Sequence, residues 1–199
     1  MDQVSTLTEP ELVTSGGRRA QTIVGVAMLI IAIVYLRWQG RIWWCAAGDL
    51  SPIALHVDSH NSQHLFDVYS FSHIQHGLVF YGLMWLFRKR MPLGWRFIAA
   101  MAIEIGWEMM ENSPFIINRY RTATISLGYT GDSIANSIGD AISCAVGFYL
   151  AAKMRWWWTL VVYVAIELTM IWLIRDSLGL NILMLVSPIE AVRKWQAGG

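Results

Sequence analysis

Charge is scarce in this chain. Asp, Glu, Lys and Arg make up 15% of its 199 residues, where soluble domains carry about 25%. The two signs nearly cancel, with 14 acids against 15 bases. No basic stripe is left to neutralise phosphates, which excludes a nucleic-acid partner. Cysteine is limited to Cys45, just after Trp43 and Trp44, and Cys144, deep in an apolar run; this placement predicts free thiols rather than a disulfide. CxxC, HExxH, P-loop and GxGxxG patterns are all missing, so zinc ribbons, zincins and nucleotide folds drop out. There is no internal repeat and no low-complexity tract. Residues 1–19 are mostly polar and no small-residue cleavage site follows the first apolar run, so the start does not read as a cleaved signal.

Apolar residues are abundant, at 55%, and they are grouped. Runs at about 20–38, 70–87, 93–112, 132–152 and 156–174 each approach the roughly 20 residues that a helix needs to cross about 30 Å of hydrocarbon. Residues 178–186 are too few to cross, and Pro188 precedes a short charged helix ending near Trp195. The expected fold class is therefore all-α, a polytopic membrane helix bundle of about five transmembrane helices. Residues 20–199 would form one transmembrane domain after a cytoplasmic segment 1–19, with polar connections at 39–69 and 113–131. Trp38, Trp43, Trp44 and Trp156–Trp158 sit where interfacial aromatic belts belong. Arg18, Arg19, Arg88–Lys89–Arg90, Arg96, Lys153 and Arg155 cluster on the side of the N-terminus, which puts that end in the cytoplasm of a bacterial inner membrane.

The polar residues inside these runs carry the functional content. Glu104, Glu108 and Glu111 lie at i, i+4 and i+7 on one helical face. Asp132, Asn136 and Asp140 do the same at i, i+4 and i+8. If the third and fourth spans pack antiparallel, Glu111 stands level with Asp132, Glu108 with Asn136, and Glu104 with Asp140. His73 and His76, at i and i+3 of the second span, fall near the top of the same layer, in the outer half of the membrane. An acidic side chain near a helix centre in lipid costs roughly 2.5–3.5 kcal/mol, so such a set is either used or carefully compensated.

Two kinds of role remain open for each group. Glu108, Glu111 and Asp140 are candidate catalytic bases or metal holders; a structural polar network is the plainer alternative. His73, His76, Glu104 and Asp132 are candidate ligands of a divalent metal whose identity the residues do not specify, although Asp132 also suits a helix N-cap. Arg119, Arg121 and Asn136 are candidate contacts for an anionic substrate group, with interfacial anchoring the plainer role of the arginines. His56, His60 and His64, spaced by four, read as exposed loop histidines or as an interfacial helix face. Glu167 has no evident partner.

The segments GRIWWCAAGDL, HNSQHLFDVYSFSHIQHG, WEMMENSPFIINRYR and GYTGDSIANSIGD resemble an uncharacterised family of bacterial multi-pass inner-membrane proteins, over nearly the whole chain from Arg41 onward. The resemblance implies a membrane location. A fainter similarity is to VanZ-like membrane proteins, in which Glu108, Arg121, Asp132, Asn136 and Gly139 would match the pattern; Glu111 stands where a Gln is expected, and the gap from Arg121 to Asp132 is longer.

Three functions fit these residues. The first is a metal-dependent or acid/base enzyme acting on a lipid or envelope precursor. The second is a small-solute or proton-coupled carrier, which at this length would have to form a homo-oligomer. The third is a non-catalytic scaffold of the bilayer whose polar ladder only fixes helix packing. With five spans and the N-terminus inside, the C-terminus lies outside: alkaline phosphatase fused after Gly199 is expected to be active, and an inactive fusion would reverse the orientation.

Overall fold

The computed structural model describes residues 15–55, 61–124 and 128–198. The segment around 9–13 expected to form a short helix, and His56 and His60, lie outside the described residues. The elements are α1 (Ser15–Trp38), β1 (Ile53–Ala54), β2 (Phe66–Asp67), α2 (Ser70–Trp85), α3 (Leu93–Glu111), α4 (Pro114–Ala123), α5 (Ile134–Lys153), α6 (Trp156–Ile174), α7 (Leu178–Val186) and α8 (Glu190–Gln196). The architecture is an all-α bundle. The two short strands pair in parallel, Ile53 with Phe66 and Ala54 with Asp67, and close the loop between α1 and α2.

Burial separates the helices by role. α1, α5 and α6 are long and apolar enough to cross a membrane. α1 and α6 leave most of their surface outside the bundle: Ile30, Ile31, Leu168, Trp172 and Leu173 are all more than half exposed, as lipid-facing helices are. α5 is the buried centre, with Asn136, Asp140, Cys144 and Phe148 inside. α2, at 16 residues, is shorter than the expected span and ends at Trp85. α3 carries Arg96 and all three glutamates, of which Glu104 and Glu108 are buried.

Local chemistry explains the boundaries. Pro114 ends α3, since its ring excludes the preceding turn of helix. The chain restarts at once as α4, because Ser113 accepts a hydrogen bond from the Ile116 N–H and Pro114 occupies the first helical position, where it is tolerated. The expected polar connection 113–131 therefore contains a helix. Ser133, rather than Asp132, caps α5, its Oγ accepting from the Asn136 N–H at 3.0 Å. Asp67 plays the corresponding part for α2, with Oδ1 accepting from the Tyr69 and Ser70 N–H groups. Arg96 is a further correction: it lies in the first turn of α3 and is fully buried, so it is no loop charge.

α2 packs more extensively on α5 than any other pair of elements packs. Gly77 and Gly147 make this possible. A Cβ on Gly77 would run into the Cys144 carbonyl, and one on Gly147 into the Ile74 carbonyl. Small residues let two backbones approach where lipid provides no hydrophobic push between helices. Cys45 and Cys144 are both buried. Gly77→Leu is expected to lower stability by about 1–3 kcal/mol through overpacking, read as an earlier thermal transition in detergent. Gly106→Ala, which has open space around its Cβ, should not lower it.

Candidate functional site

The close approach of α2 to α5 brings His73 into the middle of three carboxylates. Its Nδ1 lies 2.5 Å from Glu104 Oε1 and 3.5 Å from Glu108 Oε1, and its Nε2 lies 3.8 Å from Asp140 Oδ2. His76, one turn along, places Nδ1 2.9 Å from Glu104 Oε2. Glu104 thus holds two imidazoles, one on each oxygen, and both rings present Nε2 away from it. The two rings meet edge to face at 4.9 Å, and His76 stacks on Phe80.

Asp140 accepts a hydrogen bond from Ser70 Oγ at 3.0 Å, and Ser70 Oγ in turn accepts from the Asp67 N–H. Glu108 stands apart from this pattern. It is 2% exposed, and neither of its carboxylate oxygens takes part in a hydrogen bond among the described residues. Buried polar atoms are nearly always satisfied, so such a group asks for a ligand, an ion or a proton. Two sets of side chains have ligand atoms mutually close enough to share a metal ion: His73, His76 and Glu104, and His73, Glu108 and Asp140.

The two helices meet near Asp132 and near Asp140, and the expected Glu108–Asn136 pairing does not form. At the C-terminal end of α3 Asn112 donates from Nδ2 to Asp132 Oδ2 at 2.8 Å and accepts from the Asp132 N–H at 2.7 Å. Tyr129 donates to the other Asp132 oxygen. At the other end Glu104, Glu108 and Asp140 meet around His73. Asn136 does not face Glu108: its Nδ2 donates to the His64 carbonyl, tying α5 to the segment before α2. His73 and His76 lie beside Glu104 and Glu108, deeper than the expected position at the top of the layer.

Several expected residues are placed elsewhere. Arg119 Nε donates to the Leu185 carbonyl at 2.7 Å and Nη2 to that of Val186, capping the end of α7. Arg121 Nε donates to the Tyr129 carbonyl. Neither arginine lines the cavity described below. His64 is fully buried rather than exposed, with Nδ1 at 2.6 Å from the Ser51 carbonyl. Glu167 does have partners: it accepts from Gln75 Nε2 on α2 and from the Gly179 N–H at the start of α7. Among the VanZ-like positions, Glu108 and Asp132 belong to this polar layer. Gly139 instead packs against the Leu65 carbonyl.

A cavity of about 410 Å³ adjoins the cluster. His73, His76, Glu111, Asp132 and Asp140 form its polar end, and Phe80, Ile103 and Trp107 form part of its apolar wall. α7 closes one side through Leu178, Asn181, Ile182 and Leu185. A carboxylate at its N-terminus (Glu167) and a guanidinium at its C-terminus (Arg119) complement the helix dipole and hold this short helix in place. Glu111 is also hydrogen-bonded to Tyr120. Sequence reasoning missed Ser70, Asn112, Tyr120 and Tyr129. Only Asp67 and Ser70, in a D-x-x-S cap pattern, left a local signal.

Comparison with known proteins places the chain. A family model described as a protein of unknown function, DUF2585, matches residues 36–198. The chain belongs to this family. It is similar to the UPF0314 protein of Sphingopyxis alaskensis, 44% identical over 92% of this chain and 98% of the relative. It is also similar to UPF0314 proteins of Agrobacterium fabrum, 46% identical over 87% of this chain and 88% of the relative, and of Rhizobium etli, 47% identical over 87% and 89%. No solved structure matches the chain.

The family match reaches through the C-terminal clamp that supports α7. Asp176 accepts from the Ser177 N–H, Tyr69 Oη, Asn181 Nδ2 and Gln196 Nε2, joining the end of α6 to α2, α7 and α8. Tyr120 of α4 also faces it. Burial pushes its carboxyl up to about 6, against the four hydrogen bonds that pull it down. A raised value in the folded chain means that the clamp is firmest below the ordinary carboxyl value of 3.8 and weakens as pH rises through about 6. Amide exchange in α7 and α8, corrected for its intrinsic rate, is expected to increase roughly tenfold between about pH 5 and pH 7. Asp176→Asn should flatten that dependence.

Proposed function

We propose that this protein is a metal-dependent enzyme of the bacterial inner membrane that acts on a lipid or envelope precursor. One observation carries the reading: a buried imidazole stands among three carboxylates, one of them without a hydrogen bond, beside a cavity that the imidazole and Asp140 line. Glu104 supports it as the orienting group, because a carboxylate that takes the Nδ1 side of a histidine fixes the tautomer and frees Nε2 for a metal. His73 Nε2, Asp140 and Glu108 are then the ligand set, and His76 a neighbour able to join it. A mixed imidazole–carboxylate set suits zinc, manganese or iron better than calcium.

When bound, the metal would polarise a substrate oxygen or lower the pKa of a bound water. The chain's own residues do the rest. Glu104 keeps both rings in place, Ser70 orients Asp140, and the Glu111–Tyr120 pair on the cavity wall is positioned to move a proton. Phe80, Ile103 and Trp107 exclude water from that end. The apolar outer faces of α1 and α6 support membrane insertion, with α2 and α3 completing a five-span bundle, the N-terminus in the cytoplasm and the cluster in the outer half. A scaffold whose ladder only fixes packing would hydrogen-bond its members, whereas Glu108 has an ion-pair neighbour in His73 and no hydrogen bond among the described residues. A carrier finds less support, since no inverted repeat is present.

Elemental analysis of the purified protein tests the proposal. About one equivalent of a transition metal is expected, lost in Glu108→Gln and Asp140→Asn while the thermal transition in metal-free buffer stays. Variants that retain the metal, or a protein that never binds one, would sink it.

A further inference from the structure

Beyond the first cavity lies a second, of about 630 Å³, between α2, the end of α5 and the start of α6. Val79 and Tyr163 line both. The two cavities therefore meet at these two side chains, on a line that runs from His73 along α2 to Trp85 and Trp156. The distance from His73 to Trp85 is about 18 Å by helical rise. The walls of the second cavity are apolar or aromatic, with Thr159 and the tyrosine hydroxyls as the polar exceptions, and no charged side chain or side-chain amide faces it. Such a trough cannot satisfy the backbone of a peptide or the hydroxyls of a sugar, each of which would lose hydrogen bonds to water on entry.

The geometry points to one substrate class: a long-chain amphiphile whose oxygen-bearing head lies at the end of the first cavity lined by His73 and Asp140 and whose hydrocarbon tail occupies the trough between α2 and α6. The role of the head rests on the metal reading above; the place of the tail does not. Charge supports the same direction of entry, because an acidic cluster accepts a head that carries or meets a cation, whereas the charged groups beside the far end, Arg88 stacked on Trp85 and Arg155 before Trp156, are cations that would repel one. Gly82 is the gauge of the trough. It lines the wall, and a Cβ built on it meets nothing within 4 Å, so a large side chain there would fill the trough without disturbing the bundle. Trough length beyond Gly82 then sets the longest chain accepted.

The test uses the full-length protein in phosphatidylcholine nanodiscs and two probes, hexadecanol and decanol, each with a diazirine at the far end of the chain. Hexadecanol is expected to label the Met154–Leu160 region and decanol the region near Val79 and Tyr163, both above the labelling of the lipid face at Ile30 and Ile31. Gly82→Phe should cut hexadecanol labelling about tenfold, the equivalent of excluding some two methylenes from burial, and leave decanol labelling and metal content unchanged. Leu160→Trp narrows the same trough from α6 and should reproduce the cut-off, including where Gly82→Phe lowers the yield of folded protein. Labelling no stronger than on the lipid face, or indifferent to both substitutions, would overturn the assignment. A chain-length cut-off in a protein without metal would uphold the trough while removing the metal reading, and retained metal without a cut-off would do the reverse.

Discussion

One imidazole stands against three buried carboxylates, and the rest of the bundle is arranged around that imbalance. Charges of one sign cannot be gathered in a medium of low dielectric without a cation or a proton to share among them. His73 provides one such partner and His76 a second. Both reach Glu104, and His73 alone reaches Glu108 and Asp140. The geometry demands that α2 lie close to α3 and α5 at the same depth. Gly77 and Gly147 permit the approach on one side, and the small side chains around Ser70 and Ser137 keep the space beneath polar.

The end of the layer nearest Asn112 uses different chemistry. Asn112 and Asp132 exchange two hydrogen bonds, Tyr129 takes the remaining carboxylate oxygen, and Ser133 opens α5 with a cap. These groups satisfy one another, so residues 129–133 before α5 are matched partners rather than a reactive surface. The contrast with Glu108 is the chemical asymmetry of the site: satisfied groups outside, an unsatisfied one within. α7 then covers the cavity, held at its two ends by charges of opposite sign that suit the helix dipole, and Asp176 fastens its start to three other elements.

Much of the fold was legible because membrane spans announce themselves by length and apolarity. Helices α1, α2, α3, α5 and α6 fall within a few residues of the five apolar runs, and three of them, α1, α5 and α6, are long and apolar enough to cross a membrane. Pro114 marked the end of α3 correctly, but the restart as α4 depended on Ser113 and Pro114 acting together as cap and first residue. The short helix α7 was recognised as too short to cross, yet its function as a cover could not be inferred from nine apolar residues. The acidic faces were legible as helical spacing. Their rotation was not, which is why Asn136, on the same nominal face as Asp140, turns instead to the His64 carbonyl.

By itself the sequence determined which residues carry charge inside an apolar bundle and how far apart they stand along each helix, because helical rise is fixed. Only the tertiary structure decided which of them meet. Hydrogen bonds and ion pairs depend on angles about helix axes and on separations of a few ångströms, quantities set by backbone contacts such as Gly77 on Cys144 that leave no periodic trace. So Arg119 and Arg121, which read as anion contacts, became helix and loop caps, and Glu167, which read as solitary, became the anchor of α7. The string of acids from Glu104 to Asp140 became a site once α2 laid His73 across it.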